Sequence, residues 1–289
     1  CVLFNYHDLG NYPYAGPHII EQAPGGRQAY IQQHISRLAA GVAAKIPDPQ
    51  WSGFAAIDWE IWMPYWSGHE DTPSNLGPTA EDRDFLTDWR DYIRAARPAL
   101  LAGKTPAQQE LVFRDTWLDV TREFYLRTLA EVQRLRPNTK WGFYHLPLSP
   151  YFAWLSTGDP FQREQLRLLK LAHDEELAPI FDATNALYPS LYIFFQGVPG
   201  SPNWQLKQVV ESDNEAYLRL NMIEAIRVSR GKPVVPFITI QYHDNEPALR
   251  GKWLNPHDLR ASITVPRDNG AAGVVLWGWM SNASDRPRW

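Results

Sequence analysis

Short β-branched or aromatic runs alternate with long amphipathic stretches along the whole chain, and this alternation restricts the fold more than any other feature. Strands separated by helices pair in parallel, with each helix crossing over a face of the sheet. Six strand candidates follow: Val2–Tyr6, Gly53–Asp58, Lys140–Leu146, Ala186–Phe194, Val234–Gln241 and Gly273–Trp279. Between the first two, Ile31, Ile35, Leu38, Val42 and Ile46 recur at helical spacing. Thr105-Pro106 predicts a second helix, a capping residue followed by proline at the first helical position, which runs to Arg136. Another is expected from Asn214 to Arg230, closed by Gly231. Asn255-Pro256 opens a last one of about two turns.

Two Pro/Gly-rich stretches, Ser67–Asp84 and Gly197–Trp204, read as connections inside a domain, because the alternation continues on both sides of each. With 289 residues and no internal repeat, one domain covering the chain is the better reading. The class is therefore α/β with a parallel sheet. Six strands are few for a closed parallel barrel, which usually has eight.

Composition removes several functions. A net charge of −4 with no basic run argues against nucleic acid as a partner. The longest apolar stretches are about ten residues, half of what a membrane-spanning helix requires. A single cysteine forms neither an internal disulfide nor a cysteine zinc site, and the histidines, His145 and His243 among them, lack metal-ligand spacing. No metal or organic cofactor is implied. The 13 tryptophans suit either stacking on sugar faces or core packing.

The segment Gly53–Trp62 concentrates the chemistry. An apolar strand ends in Asp58 and Glu60, two residues apart and so directed to one face. Active sites of parallel barrels gather at the C-terminal strand ends. Two acids there, beside Trp59 and Trp62, form the pair expected for cleaving a glycosidic bond. A solvated strand end is the plainer alternative.

Gly53–Trp66, reading GFAAIDWEIWMPYW, resembles the catalytic segment of the hyaluronidases, roughly G-x-A-V-I-D-W-E-x-W-R-P-x-W. Leu9-Gly-Asn-Tyr-Pro-Tyr14 resembles the family's L-G-x-Y-P-Y turn. Arg136-Pro137 with Trp141-Gly-Phe-Tyr-His-Leu-Pro147 resembles R-P-x-x-x-W-G-F-Y-x-F-P, and Ala186-Leu-Tyr-Pro-Ser-Leu-Tyr192 resembles A-L-Y-P-S-I-Y. Glu224–Val228 and Gly273–Trp277 resemble a late helix and the last strand, so the similarity spans almost the whole chain. The resemblance implies a distorted, seven-stranded TIM-like (β/α) barrel. Its first strand would precede the one matching Val2–Tyr6, so this chain is expected to lack it.

The implied activity is endo-hydrolysis of hyaluronan- or chondroitin-like glycosaminoglycan at β-linked N-acetylhexosaminides, with retention and with the substrate's acetamido oxygen as nucleophile. In this scheme Glu60 is the general acid and then the base, with its pKa raised, and Asp58 orients the acetamido N–H. Tyr144 and Tyr192 match residues that contact the acetamido group, Trp277 matches a wall of its pocket, and Tyr12 and Tyr14 match a cleft-lining turn. Core or turn packing is the alternative for all five. Arg219 and Asp244 align with a basic and an acidic position. The expected partner is a polysaccharide or oligosaccharide containing N-acetylhexosamine, and the expected location is extracellular, secretory or lysosomal.

The chain departs from the pattern at several points. Met63 stands where the family usually has Arg, Leu148 and Ser149 where it has Asp and Cys, and His145 where Gly is frequent. The loop after Trp66 is acidic, which disfavours a polyanion. These departures keep two alternatives in view: the same mechanism on a different N-acetylhexosamine glycan, and a glycan-binding homologue without turnover.

Overall fold

Three parallel strands, β1 (Val2–Phe4), β2 (Phe54–Ile57) and β3 (Lys140–Phe143), pair in the order β1-β2-β3 with Phe4 opposite Ile57 and Ile57 opposite Phe143. The computed structural model describes residues 1–13, 18–66, 85–149, 160–201, 203–243 and 246–278. Tyr14, the Ser67–Asp84 connection and Asp244 lie outside the described residues. The chain forms two compact units: Cys1–His145 with Arg167–Ala186, and Leu146–Leu166 with Leu187–Trp289.

In the first unit, helix α1 (Gly26–Lys45) follows β1 and buries Tyr30, Ile31, His34, Leu38 and Val42, the stripe that the periodicity predicts with His34 added. Helix α2 (Phe85–Ala96) was not legible beforehand. Helix α3 (Pro106–Leu135) starts as the sequence requires: Thr105 accepts from the Gln108 N–H and Gln108 accepts from the Thr105 N–H. Such reciprocal capping contributes about 1 kcal/mol. At its far end the buried Arg136 guanidinium donates to the Ile46 carbonyl at 2.9 Å, tying the ends of α3 and α1 together. Helix α4 (Pro160–Ala183) contributes its portion from Arg167 onward to this unit.

In the second unit, β4 (Gln196–Val198) pairs in parallel with β5 (Gln208–Val210), and β6 (Phe237–Thr239) with β7 (Val275–Trp277). Helix α5 (Glu211–Ser229) follows β5, and α6 (Pro256–Asp268) crosses from β6 to β7. The start of the expected Gly197–Trp204 connection is a strand because α6 clamps it. Buried Asp258 accepts from the Gly197 N–H at 2.8 Å, from Asn214 at 2.9 Å and from the Tyr242 hydroxyl at 2.7 Å, while Asn255 donates to the Gly197 carbonyl. A Cβ on residue 197 would sit 2.4 Å from Asp258 Oδ1, so only glycine fits.

The α/β class and the parallel pairing hold, but the closed barrel does not emerge among the described residues, whose strands fall into three separate sheets. The candidate Ala186–Phe194 makes only isolated parallel bridges, Leu187 with Val234 and Ser190 with Phe237. Pro189 and Pro236 lack the N–H a continuous ladder needs. Their carbonyls still accept, Pro189 from Phe237 and Pro236 from Val275, both at 2.9 Å.

Candidate active site

Asp58 and Glu60 leave the C-terminal end of β2, the central strand of its sheet. The ladder runs to the strand end on both sides. The Asp58 N–H donates to the Phe4 carbonyl at 2.7 Å, and the Tyr144 N–H donates to the Ile57 carbonyl at 2.9 Å. Parallel register therefore sets Tyr144 beside Asp58, although 86 positions separate them in sequence.

The intervening Trp59 anchors the turn. It is fully buried, stacked on Tyr12 with centroids 4.5 Å apart and edge-on to Tyr125 at 5.5 Å. Two tyrosine hydroxyls then hold the next peptide: Tyr12 accepts from the Trp62 N–H at 2.8 Å, and Tyr125 donates to the Trp62 carbonyl at 3.1 Å. Burial pushes both hydroxyls far above the usual tyrosine range, so they stay protonated. Tyr12, expected along a cleft, is only 6% exposed and lies within this packing.

The Asp58 and Glu60 carboxyls hydrogen-bond to each other, and burial together with the Glu60 charge pushes the Asp58 carboxyl up to about 8. Two carboxylates this close retain one proton between them at neutral pH. The rise on Asp58 comes in addition to the one expected for Glu60 from the sequence. Asp58 Oδ1 is buried without a hydrogen-bond partner, and so is Trp59 Nε1. Glu60 is 36% exposed, with Nδ1 of His145 at 3.5 Å from its Oε2.

Comparisons with known proteins identify the family. The family model described as hyaluronidase matches residues 1–288. The chain belongs to the hyaluronidase family. Bovine (Bos taurus) hyaluronidase-1 is 28% identical over 98% of this chain, and human (Homo sapiens) hyaluronidase-1 is 29% identical over 95% of it. The chain spans 57% of either relative's length. The crystal structure of bee venom hyaluronidase superimposes with a TM-score of 0.67 at 18% identity, covering 97% of this chain and 79% of the other. A second bee venom structure, in complex with a hyaluronic acid tetramer, gives 0.65 at 20% identity over 94% and 71%. The family is one of glycoside hydrolases.

Within this hyaluronidase-family chain, the first unit holds Asp58, Glu60, Tyr144 and Tyr12, and the second holds Tyr192 and Trp277. Tyr144 is buried and edge-on to His145. Tyr192 is buried, its ring stacked on that of His243 at 5.5 Å. Trp277 is half-buried and pairs with Thr239 at the end of β7. Arg219 is exposed on α5. At the departures, Met63 and Leu148 are both buried, and the Met63 carbonyl accepts from the Trp117 indole at 3.2 Å.

Sequence reading missed Tyr125. Its signal was an aromatic residue with a polar tip on the buried stripe of α3, where it follows Phe124 and precedes Thr128. Among the described residues, no group of three or more His, Cys, Asp or Glu side chains is arranged to hold a metal ion.

Proposed function

We propose that this chain is a retaining endo-β-N-acetylhexosaminidase of the hyaluronidase type, acting on hyaluronan- or chondroitin-like glycosaminoglycan by substrate-assisted catalysis. The observation that carries this reading is the acid pair itself: a hydrogen-bonded Asp58 and Glu60 retaining one proton, with Asp58 Oδ1 buried and unpartnered. That oxygen is an acceptor reserved for a donor the protein does not supply, and an acetamido N–H provides one.

In the first step the one proton of the pair passes from Asp58 to Glu60 and on to the glycosidic oxygen, leaving Asp58 ionised, while the acetamido carbonyl oxygen attacks the anomeric carbon. The carbon–oxygen bond to the leaving sugar breaks, and a positively charged cyclic intermediate forms beside ionised Asp58. In the second step Glu60 takes a proton from water, whose oxygen opens the intermediate with net retention. No nucleophile from the protein is needed, which sets this route apart from the two-carboxylate retaining scheme.

Tyr144, Tyr192 and Trp277 are assigned to sugar contact, Tyr14 to the cleft-lining turn and Tyr12 to support of the acidic turn. The likeness to bee venom hyaluronidase supports reading the parallel strands as parts of a distorted barrel, and residues 1–289 as one catalytic domain. The venom origin of that relative supports an extracellular or secretory location. No helix among the described residues is long and apolar enough to cross a membrane.

A second substrate reading has its own support. Met63 and Leu148 are apolar and buried at positions where the family pattern carries Arg and Asp, so the polar contacts of those positions are missing here. This favours a related N-acetylhexosamine glycan of lower charge. The test is reducing-end release from hyaluronan, chondroitin and chitin-type oligomers by wild type and Glu60→Gln. Turnover of a glycosaminoglycan that disappears with Glu60→Gln supports the main reading. Turnover confined to chitin-type oligomers supports the second, and turnover that survives Glu60→Gln overturns the mechanism.

A further inference from the structure

His145 sits where the chain leaves the first sheet. β3 ends at Phe143, the Tyr144 N–H makes the last ladder bond, and His145 then adopts a left-handed backbone with φ 63°. A residue with a Cβ holds that conformation at a cost that glycine avoids. The same bend brings the imidazole to the acid pair, with Nδ1 at 3.5 Å from Glu60 Oε2. The ring is kept upright by the Tyr144 ring, edge-on at 5.7 Å and 74°.

Backbone support alone does not fix a glutamate carboxyl. The tyrosine hydroxyls of Tyr12 and Tyr125 hold the peptide at Trp62, two residues beyond Glu60, but the Glu60 side chain extends over three rotatable bonds and is one-third exposed. His145 supplies what they lack, a polar ring on a rigid strand end that meets the carboxyl itself. The geometry points to His145 as a positioning residue for Glu60: its imidazole holds the carboxyl in the rotamer that reaches Asp58, ready for proton transfer. This rests on the reading of Glu60 as the proton donor. The residue that breaks a backbone preference is then kept for the acid it faces, and the cost of the left-handed conformation is offset by a pre-oriented catalytic group.

Glycine adopts φ 63° freely and asparagine tolerates it, so His145→Gly and His145→Asn both keep the strand end folded. On whichever N-acetylhexosamine polymer wild type cleaves, His145→Gly should lower kcat on the order of tenfold with little change in KM. His145→Asn, which restores a polar side chain, should recover part of the loss. An unchanged kcat in His145→Gly, or a loss confined to KM, overturns the proposal. A readout free of turnover separates this result from the functional reading. Carbon relaxation of the Glu60 side-chain methylenes should show greater mobility in His145→Gly than in wild type. Equal mobility overturns the positioning role, whereas an inactive wild type with the mobility difference intact refutes only the proposed activity.

Discussion

Two polar clusters adjoin Trp59, one packed against its ring and one formed by its sequence neighbours Asp58 and Glu60, and they are built on opposite principles. On one side His34, fully buried and 5.8 Å from the indole, accepts from the Asn11 N–H at 2.8 Å through Nδ1. Its Nε2 therefore carries the hydrogen of the neutral ring and donates to Thr128 at 2.9 Å, and Thr128 donates on to the Phe124 carbonyl. Every polar atom in that cluster is used. On the other side Asp58 shares a proton with Glu60 and leaves Oδ1 without a partner. A closed network locks packing, and an open one keeps capacity for a ligand at the expense of stability.

The sharpest way to break the contrast is to strike each cluster in turn. Glu60→Gln should reduce kcat by about a thousandfold or more while leaving the melting temperature near that of wild type, as seen by initial rates and calorimetry. Asp58→Asn should lower kcat by roughly a hundredfold, and it should not destabilise the fold, because a poorly satisfied buried acid is removed. A melting temperature several degrees below wild type would move Asp58 into the structural class.

His34→Ala should do the reverse. Loss of a buried ring and two hydrogen bonds costs about 2–4 kcal/mol in urea unfolding, with kcat per folded molecule retained. A large loss of kcat without loss of stability would place His34 with the reacting groups.

The clusters also impose opposite pH slopes on stability. Burial pushes His34 down to about 3, so the unfolded chain binds that proton first, and this stabilisation is lost as pH falls from near 6.5 toward 3. Asp58, pushed up to about 8 by burial and the Glu60 charge, binds its proton more tightly in the folded state, and that contribution is lost as pH rises from near 4 toward 8. Between about pH 4 and 6.5 the two oppose each other. Unfolding midpoints of Asp58→Asn should therefore rise more steeply with pH across this window than those of wild type. The smallest effect expected is Tyr12→Phe, about 1 kcal/mol in stability and a few-fold in kcat, from loosening one side of the Trp62 peptide.

Much of this was legible in the residues because it depends on neighbours in sequence. The Asp58–Glu60 doublet closes an apolar run, the α1 stripe recurs at helical spacing, and Thr105-Pro106 caps α3. The tryptophan surplus also resolves locally: Trp59, Trp62, Trp66 and Trp141 are all buried, which makes them packing residues, and Trp277 is half-buried. What escaped reading is set by distant partners. The β2–β3 register decides that residue 145 faces residue 60, and the Asp258 clamp decides that Gly197 belongs to a strand. His34 left a faint signal, a polar residue between Ile31 and Leu38 on an apolar stripe, but its partners Asn11 and Thr128 are 23 and 94 positions away.

The grip on the Trp62 peptide has a consequence for how activity arises during folding. Its amide and carbonyl are bound by groups 50 and 63 positions distant, one before β2 and one on α3. The short turn bearing the acid cannot take its final shape until both ends of that long sequence interval have docked. Recovery of turnover on refolding should accordingly lag behind recovery of helix, which makes enzymatic activity a late-stage clock for assembly of the first unit.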